Sequence, residues 1–349
     1  MRDAGAPLRG TGEGMAEAYD IREIPIAERE DVLELTEMQY GPCDLATRAY
    51  FDWQYEDNPA GRAIIVGAYH EGTLATVLAN IPMPISVDGR EITIVQSVNL
   101  VTHPEHRRRG LFLKCGQALC DLSLERGYPF VIGFPNQGAI GGWRRLGHTE
   151  LGTPQLLIQI RRPFQLAAES FGWRKGPYRT EPLALGPGIR EVSSLADTGL
   201  DHLQSAAKFS LTRDPTWFDW RYCRCPTRDY RVFVLGDTEA VLITRTSVGL
   251  GRMARSRVLY VMDILYPRSG LPPAIFPALK QIAKAERASA ILASVCHGSD
   301  VERRLSSNGF FPIPDRLRSA LPVIIRSQGD IHPRSLPELD ISFGLSDRV

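Results

Sequence analysis

The strongest constraint in this 349-residue chain is that it repeats itself. Ile21-Arg22-Glu23-Ile24 returns as Ile189-Arg190-Glu191-Val192, an offset of 168. Thr47-Arg48 followed by Phe51-Asp52-Trp53-Gln54-Tyr55 returns as Thr212-Arg213 followed by Phe218-Asp219-Trp220-Arg221-Tyr222, the aromatic string at an offset of 167. Leu146-Gly147-His148 is answered by Asn308-Gly309-Phe310 at 162. Three markers in one order at nearly constant spacing specify two tandem copies of one α/β unit. The falling offset places a deletion in the second copy, between its hairpin and its closing glycine. After each aromatic string comes a predicted β-hairpin: 63–69 and 73–80 around His70-Glu71-Gly72, then 230–235 and 238–244 around Gly236-Asp237. Charged, glycine-containing turns between alternating apolar runs are hairpin signals. The aromatic strings themselves read as core, or as anchors between the copies.

A domain of about 150 residues per copy fits the chain length. The reading is a tail over 1–18, a first unit over 19–162, a linker over 163–187 rich in Pro and Gly, a second unit over 188–326, and an irregular tail over 327–349. Hydrophobic residues make up 43% and charged residues 23%, ordinary values that exclude disorder or a coiled coil as the main architecture. Lys+Arg 41 against Asp+Glu 40 leaves a net charge of +1, which argues against bulk binding of nucleic acid or a membrane surface. No apolar run approaches the ~18 residues of a membrane span, and no signal-peptide core precedes the first unit. The six cysteines form no CxxC pair, and neither Cys223-Arg224-Cys225 nor Cys296-His297 has metal-ligand spacing. A reduced, cytoplasmic protein without a metal site is expected.

One segment carries chemistry. A β-rich run over 92–102 leads into His103-Pro104-Glu105-His106-Arg107-Arg108-Arg109-Gly110-Leu111-Phe112, and a helix is predicted over 111–126. Strand, short basic loop and helix N-terminus together aim backbone N–H groups and the positive end of the helix dipole at one point. Gly110 removes the Cβ where a ligand must come close, and the arginines add charge-assisted bonds worth ~1.5–3 kcal/mol each. This is a combination suited to a pyrophosphate. The second copy lacks it: its strand over 258–265 runs into Tyr266-Pro267-Arg268-Ser269-Gly270-Leu271-Pro272-Pro273, where prolines remove N–H groups. The helix over 274–287 and the strand over 288–295 persist there.

Arg107-Arg108-Arg109-Gly110-Leu111-Phe112 resembles the Q/R-x-x-G-x-G/A acyl-CoA loop of the GNAT superfamily of N-acetyltransferases, most like the Eis-type aminoglycoside acetyltransferases. Downstream of a strand over 130–134, Asn136, Ala139, Trp143, Gly147 and His148 match the spacing of that family's N-x-x-A-x-x-x-Y-x-x-x-G-F string. The resemblance covers residues 19–162 by motif and the second copy by repeat alone. It implies two mixed-sheet α/β GNAT folds, the second degenerate, and an acyl-CoA co-substrate, with acetyl as the expected acyl group. It implies that the backbone from Arg108 through Arg109, Gly110 and Leu111 to Phe112, with Arg107 beside it, holds the pyrophosphate. It further implies that Leu100, Val101 and Thr102 pair with pantetheine, and that Asn136 and Ala139 flank the pantetheine arm.

Two positions depart from the family. Trp143 stands where the family places a tyrosine that protonates the departing thiolate, and an indole N–H cannot do this near neutral pH. Gln96 stands where some members carry a base glutamate. His148, with an ordinary pKa near ~6.5, is a substitute candidate, as are Ser97, His103 and Asp52 through water. The expected activity is acyl transfer from acyl-CoA to a primary amine of a small polar molecule such as an amino sugar, an aminoglycoside or an amino acid. The alternative is an acyl-CoA-binding sensor or scaffold with little turnover.

Overall fold

The computed structural model describes residues 18–171 and 185–346, apart from 197, 201, 204, 206, 213, 250–252, 315–320, 328 and 341. Residues 1–17, nearly all of the expected N-terminal tail, lie outside the described residues.

The strands in chain order are β1 (Asp20–Glu23), β2 (Ile64–His70), β3 (Thr73–Val87), β4 (Arg90–Thr102), β5 (Phe130–Gly133), β6 (Thr149–Gly152), β7 (Gln155–Ile160) and β8 (Ile189–Val192). There follow β9 (Phe209–Leu211), β10 (Tyr230–Leu235), β11 (Ala240–Val248), β12 (Arg257–Leu265), β13 (Ala290–Val295), β14 (Phe311–Pro312) and β15 (Val323–Ser327). The helices are α1 (Arg29–Tyr40), α2 (Arg48–Phe51), α3 (Leu111–Glu125), α4 (Gln137–Arg145), α5 (Pro163–Ser170), α6 (Pro215–Phe218), α7 (Ile275–Ala285), α8 (Asp300–Ser307) and α9 (Phe343–Ser346). None is long and apolar enough to cross a membrane among the described residues.

Two mixed sheets result. The first has the order β1-β2-β3-β4-β5-β15-β6, with β9 added on β3; the second has the order β14-β7-β13-β12-β11-β10-β8. Each runs antiparallel through its hairpin and then has one parallel pair, β4 with β5 and β12 with β13. The hairpin turns work as their residues require: Glu71 and Gly72 both have positive φ (50° and 83°), the pair of left-handed residues that matches strand twist.

The boundary drawn at 162 needs correction. It assigns β7 to the first unit, but β7 lies between β13 and β14 of the second sheet, while β15 lies between β5 and β6 of the first. Each half gives its last strand to the other, so neither sheet closes without both. The expected linker also contains structure. Pro163 sits in the first turn of α5, where its missing N–H costs nothing, and good helix formers follow; residues 172–184 of that linker lie outside the described residues. The expected irregular C-terminal tail is packed as well. Leu339 bridges Phe209, and Phe343 is buried edge-on against Tyr260.

The aromatic strings meet at the centre. Trp53 and Trp220 stack with centroids 5.0 Å apart, and each indole N–H donates to the other's backbone carbonyl at 2.9 Å. Both sit in π-helical turns, Asp52–Glu56 and Asp219–Cys223, which follow α2 and α6. The surrounding core is continuous from one sheet to the other, including Tyr50, Ile94, Phe130, Trp217, Phe218 and Val323. The two sequence copies thus share this central core, and each sheet keeps further buried clusters of its own.

Candidate active site

The site begins where two parallel strands part. β4 and β5 pair at Val95–Val131, Gln96–Ile132 and Ser97–Gly133; β5 ends there while β4 continues to Thr102. A β-bulge turns β4 away: Val77 faces Val101 and Ala79 faces Val98, so Asn99 and Leu100 share the single partner Leu78. Asn99 takes up the strain in a left-handed conformation (φ 51°), which Asn tolerates better than most residues. Its side-chain amide fixes the bend by donating to Gln54 Oε1 at 2.7 Å and to the Tyr55 hydroxyl at 2.6 Å. Past the bulge, β4 presents a strand edge with no strand partner on the β5 side among the described residues.

The resulting cleft has a volume of about 360 Å³. Its lining includes Gln96, Ser97, Leu100, Asn136, Ala139 and Trp143, all expected from sequence, so segments far apart in the chain are brought to one place. Val101 and Thr102 continue the β4 edge toward the basic loop; Val101 is buried and Thr102 partly so.

The loop is built by its own local bonds. His103 Nδ1 accepts from Glu105 N at 3.2 Å and starts a single 3₁₀ turn, Pro104–His106. Arg108 (φ 64°) and Gly110 (φ 75°) are both left-handed, and Gly110 is the N-cap of α3. The Gly110 carbonyl accepts from Leu113 and Lys114. The N–H groups of Gly110, Leu111 and Phe112, at the helix start, have no acceptor within the helix. The Arg107 guanidinium donates to Gln39 Oε1 at 2.5 Å and ties the loop to α1. The Arg108 and Arg109 side chains are exposed.

Tight packing sets α4 against α3. A Cβ on Gly116 would strike Leu146, and one on Gly142 would strike the Phe112 ring. Asn136 caps α4 by accepting from Ala139 N at 3.1 Å through its side-chain carbonyl oxygen, and it lines the cleft. Trp143 is buried between Phe112 and His148, with both ring pairs edge-on. Ser97 Oγ donates to Asn80, whose amide donates to Ser123, a buried polar chain running from the cleft wall into α3.

The structure separates the remaining candidates from the cleft. His148 lies behind Trp143, 4% exposed, with neither ring nitrogen in hydrogen-bonding geometry. Burial and the nearby Arg326 guanidinium pull its pKa down to about 4, so it is neutral at physiological pH. It is therefore not placed as a base. His103 and His106 pack with Tyr19 and His70 in a surface aromatic group beside the loop. Asp52 is ion-paired with Arg29 outside the cleft lining. Among the described lining residues there is no carboxylate and no imidazole.

Sequence reasoning missed Tyr40, Leu45, Leu321 and Arg228 in the lining. Arg228 comes from the second half of the chain, between the π-helical turn and β10, and carries no local motif. It pairs with Asp44 (Nε to Oδ2, 3.1 Å) and lies over the Tyr50 ring. Among the described residues no group of His, Cys, Asp and Glu is arranged to hold a metal.

Comparison with known proteins agrees with this geometry. The acetyltransferase (GNAT) domain family matches residues 20–149. No curated protein sequence matches the chain. Similar solved structures include a GCN5-related N-acetyltransferase from Anabaena variabilis (TM-score 0.59, 14% identity, 89% of this chain and 73% of that one). Another is Eis1 from Mycobacterium abscessus (TM-score 0.52, 15% identity, 88% and 73%). A third is Saccharomyces cerevisiae N-myristoyltransferase with bound myristoyl-CoA (TM-score 0.56, 13% identity, 97% and 87%). At these identities the structural likeness speaks to the fold. The matched domain, residues 20–149, holds the parted strands, the bulge, the basic loop and Trp143, and it is this part of the chain that matches the acetyltransferase (GNAT) domain family.

Proposed function

We propose that this chain transfers an acyl group, acetyl in the first instance, from acyl-CoA to a primary amine of a small polar molecule such as an amino sugar or amino acid. Transfer is direct, within a ternary complex. The observation that carries this reading is the bulged edge of β4 opening into the cleft, one short loop away from the unpaired N–H groups at the start of α3. Backbone from Arg108 to Phe112 would hold the pyrophosphate; the edge from Leu100 to Thr102 would pair with pantetheine in the manner of an added strand. The six cysteines are all unbridged, which suits work in the reducing cytoplasm.

Chemistry follows from what the cleft offers. The amine nitrogen attacks the thioester carbonyl carbon, a C–N bond forms, the C–S bond breaks, and the sulfur leaves as thiolate. With no described base in the lining, the amine arrives neutral and its surplus proton passes to water. Trp143 gives the thiolate a donor N–H but no proton. General acid–base catalysis contributes about 10²–10⁴-fold per group, whereas positioning two reactants contributes ~7–11 kcal/mol, so catalysis here rests on placement. The same lack of a carboxylate or imidazole in the described lining favours the second reading, a protein that binds acyl-CoA without turning it over.

Thermal unfolding with CoA, acetyl-CoA and longer acyl-CoAs, paired with a free-thiol assay in the presence of amines, separates the two. A ligand at 100 times its Kd stabilises by about 2.7 kcal/mol. Stabilisation with amine-dependent thiol release is the expected result. Stabilisation without release under any amine leaves the sensor, and no stabilisation by any CoA species overturns both.

A further inference from the structure

Resting on that reading, we infer that Ser97 accepts a hydrogen bond from the attacking amine and aims the nitrogen at the thioester, which makes it a catalytic residue at the closed end of the cleft. Ser97 is the last residue of β4 paired with β5, opposite Gly133, so it stands where the two strands part. Its side chain is partly exposed and lines the cleft. A donor laid along the β4 edge from the basic loop occupies that edge from Thr102 to Leu100. The space left for the amine lies beyond, toward the apex, and there the cleft wall offers the Ser97 hydroxyl.

The direction of the Ser97 hydrogen bond is fixed from inside α3. The Leu119 carbonyl can only accept, so Ser123 Oγ commits its single proton there, at 2.7 Å. Ser123 Oγ must then accept from Asn80, whose amide nitrogen lies 2.8 Å away. That turns the Asn80 carbonyl oxygen to Ser97, which donates to it at 2.7 Å. Asn80 and Ser123 are fully buried, so bulk water does not compete for these bonds. With its only proton held in the wall, Ser97 Oγ meets a ligand with lone pairs alone. It takes an N–H of the amine and leaves the nitrogen lone pair to the thioester carbonyl carbon. A hydroxyl free to rotate could donate to that lone pair and block the attack. Ser97 aims the amine and removes no proton from it; the surplus proton still passes to water.

The test reads thiol release from acetyl-CoA with a panel of primary amines: glucosamine, kanamycin and a set of L-amino acids. For the best acceptor, Ser97→Ala should lower kcat/KM for the amine about 10- to 100-fold, with KM for acetyl-CoA within about twofold. Ser97→Cys, nearly the same size but a weak acceptor, should fall likewise and stands in if the alanine variant does not fold. Ser97→Thr keeps the hydroxyl and should recover most of the rate. Ser123 is a positioning residue: Ser123→Ala touches no ligand but lets the Asn80 amide turn over and reverse the Ser97 bond. We expect it to lower kcat about three- to tenfold at unchanged KM for acetyl-CoA, and to cost nothing further in the Ser97→Ala background. Stabilisation by acetyl-CoA, retained in each variant, shows that the fold and donor site survive. Stabilisation lost in Ser97→Ala and restored in Ser97→Thr places the hydroxyl on pantetheine and overturns the inference. An amine kcat/KM within about threefold of wild type in Ser97→Ala, or additive losses in the double variant, overturns it too, and each leaves the transferase standing. Wild-type protein that acetyl-CoA stabilises but that releases no thiol with any amine is the failure of the transferase reading, and the inference falls with it.

Discussion

The two halves of the chain build the same frame and put different things in it. Both have a parallel strand pair, and both carry a bulge in the equivalent strand, at Asn99–Leu100 in β4 and at Met262 in β12. Both start the next helix with a side-chain cap, Asn136 for α4 and Ser299 for α8. Yet the first gap is a cleft of about 360 Å³, while the space beside β12 and β13 is about 30 Å³ and is lined in part by Asp340 and Ser342 of the C-terminal segment. After β4 the backbone turns through two left-handed residues into α3; after β12 it passes Pro267, Pro272 and Pro273 before α7. The difference teaches that the bulge and the splayed strands belong to the fold, and that the proposed donor site differs from its counterpart by one loop and by an unfilled gap.

The harshest way to break the comparison is Gly110→Trp. At φ 75° any Cβ is strained, and a bulky side chain would stand over the N–H groups that define the first site. We expect loss of acetyl-CoA stabilisation and at least about a 100-fold fall in kcat/KM, a loss of ~2.7 kcal/mol or more. Unchanged stabilisation by acetyl-CoA would move the donor site elsewhere.

Next in size is Phe343→Ala, which takes the C-terminal segment's buried aromatic off Tyr260 in the shared core. Removing a buried aromatic costs ~3–5 kcal/mol, read as a lower denaturant midpoint. If the comparison is right, the variant gains no second acyl-CoA equivalent by calorimetry, because the loop after β12 still offers prolines instead of a nest. A second equivalent would show that the packing of the C-terminal segment, and not the loop after β12, distinguishes the halves.

Much of this was legible because it is local. The hairpin turns, the strand–loop–helix over 92–126 and the repeat of the Trp53 and Trp220 strings all declare themselves within a few residues. The exchange of β7 and β15 does not: both are short apolar strands, and nothing within Gln155–Ile160 says which sheet it joins. Arg228 was invisible for the same reason, since its place in the cleft lining depends on the second half covering the first. The packing of the 327–349 segment is not legible either, since the partner of Phe343, Tyr260, lies over eighty positions upstream. Residue type alone does not show the state of His148, because its burial is set by distant packing.

That burial gives a prediction at the position where the halves diverge most simply, His148 against the equally buried Phe310. Folded His148 takes a proton only near pH 4, whereas the unfolded chain takes it near 6.5. Protons therefore favour the unfolded state in that window: stability is full above about pH 6.5 and falls as the pH drops toward 4. The loss is about 3 kcal/mol, read from denaturant midpoints. His148→Phe, which copies the second half, should flatten this part of the pH profile. A profile of unchanged slope would mean that other groups carry the acid sensitivity.

The smallest effect concerns the rate itself. Trp143 and Leu305 occupy matching places, each giving its carbonyl to the residue that follows the closing glycine, His148 and Phe310. Trp143→Tyr would put a hydroxyl in the cleft where a thiolate departs, with a proton to give and an aromatic face kept toward Phe112. Trp143→Leu copies the second half and offers neither. We expect kcat to rise several-fold in the tyrosine variant, about 1 kcal/mol, with the gain largest below the pKa of the leaving thiol, ~8.5. In the leucine variant kcat should fall, with the loss traceable to packing against Phe112. If tyrosine brings no gain, thiolate departure does not limit turnover, and the cleft works by placement of amine and thioester alone.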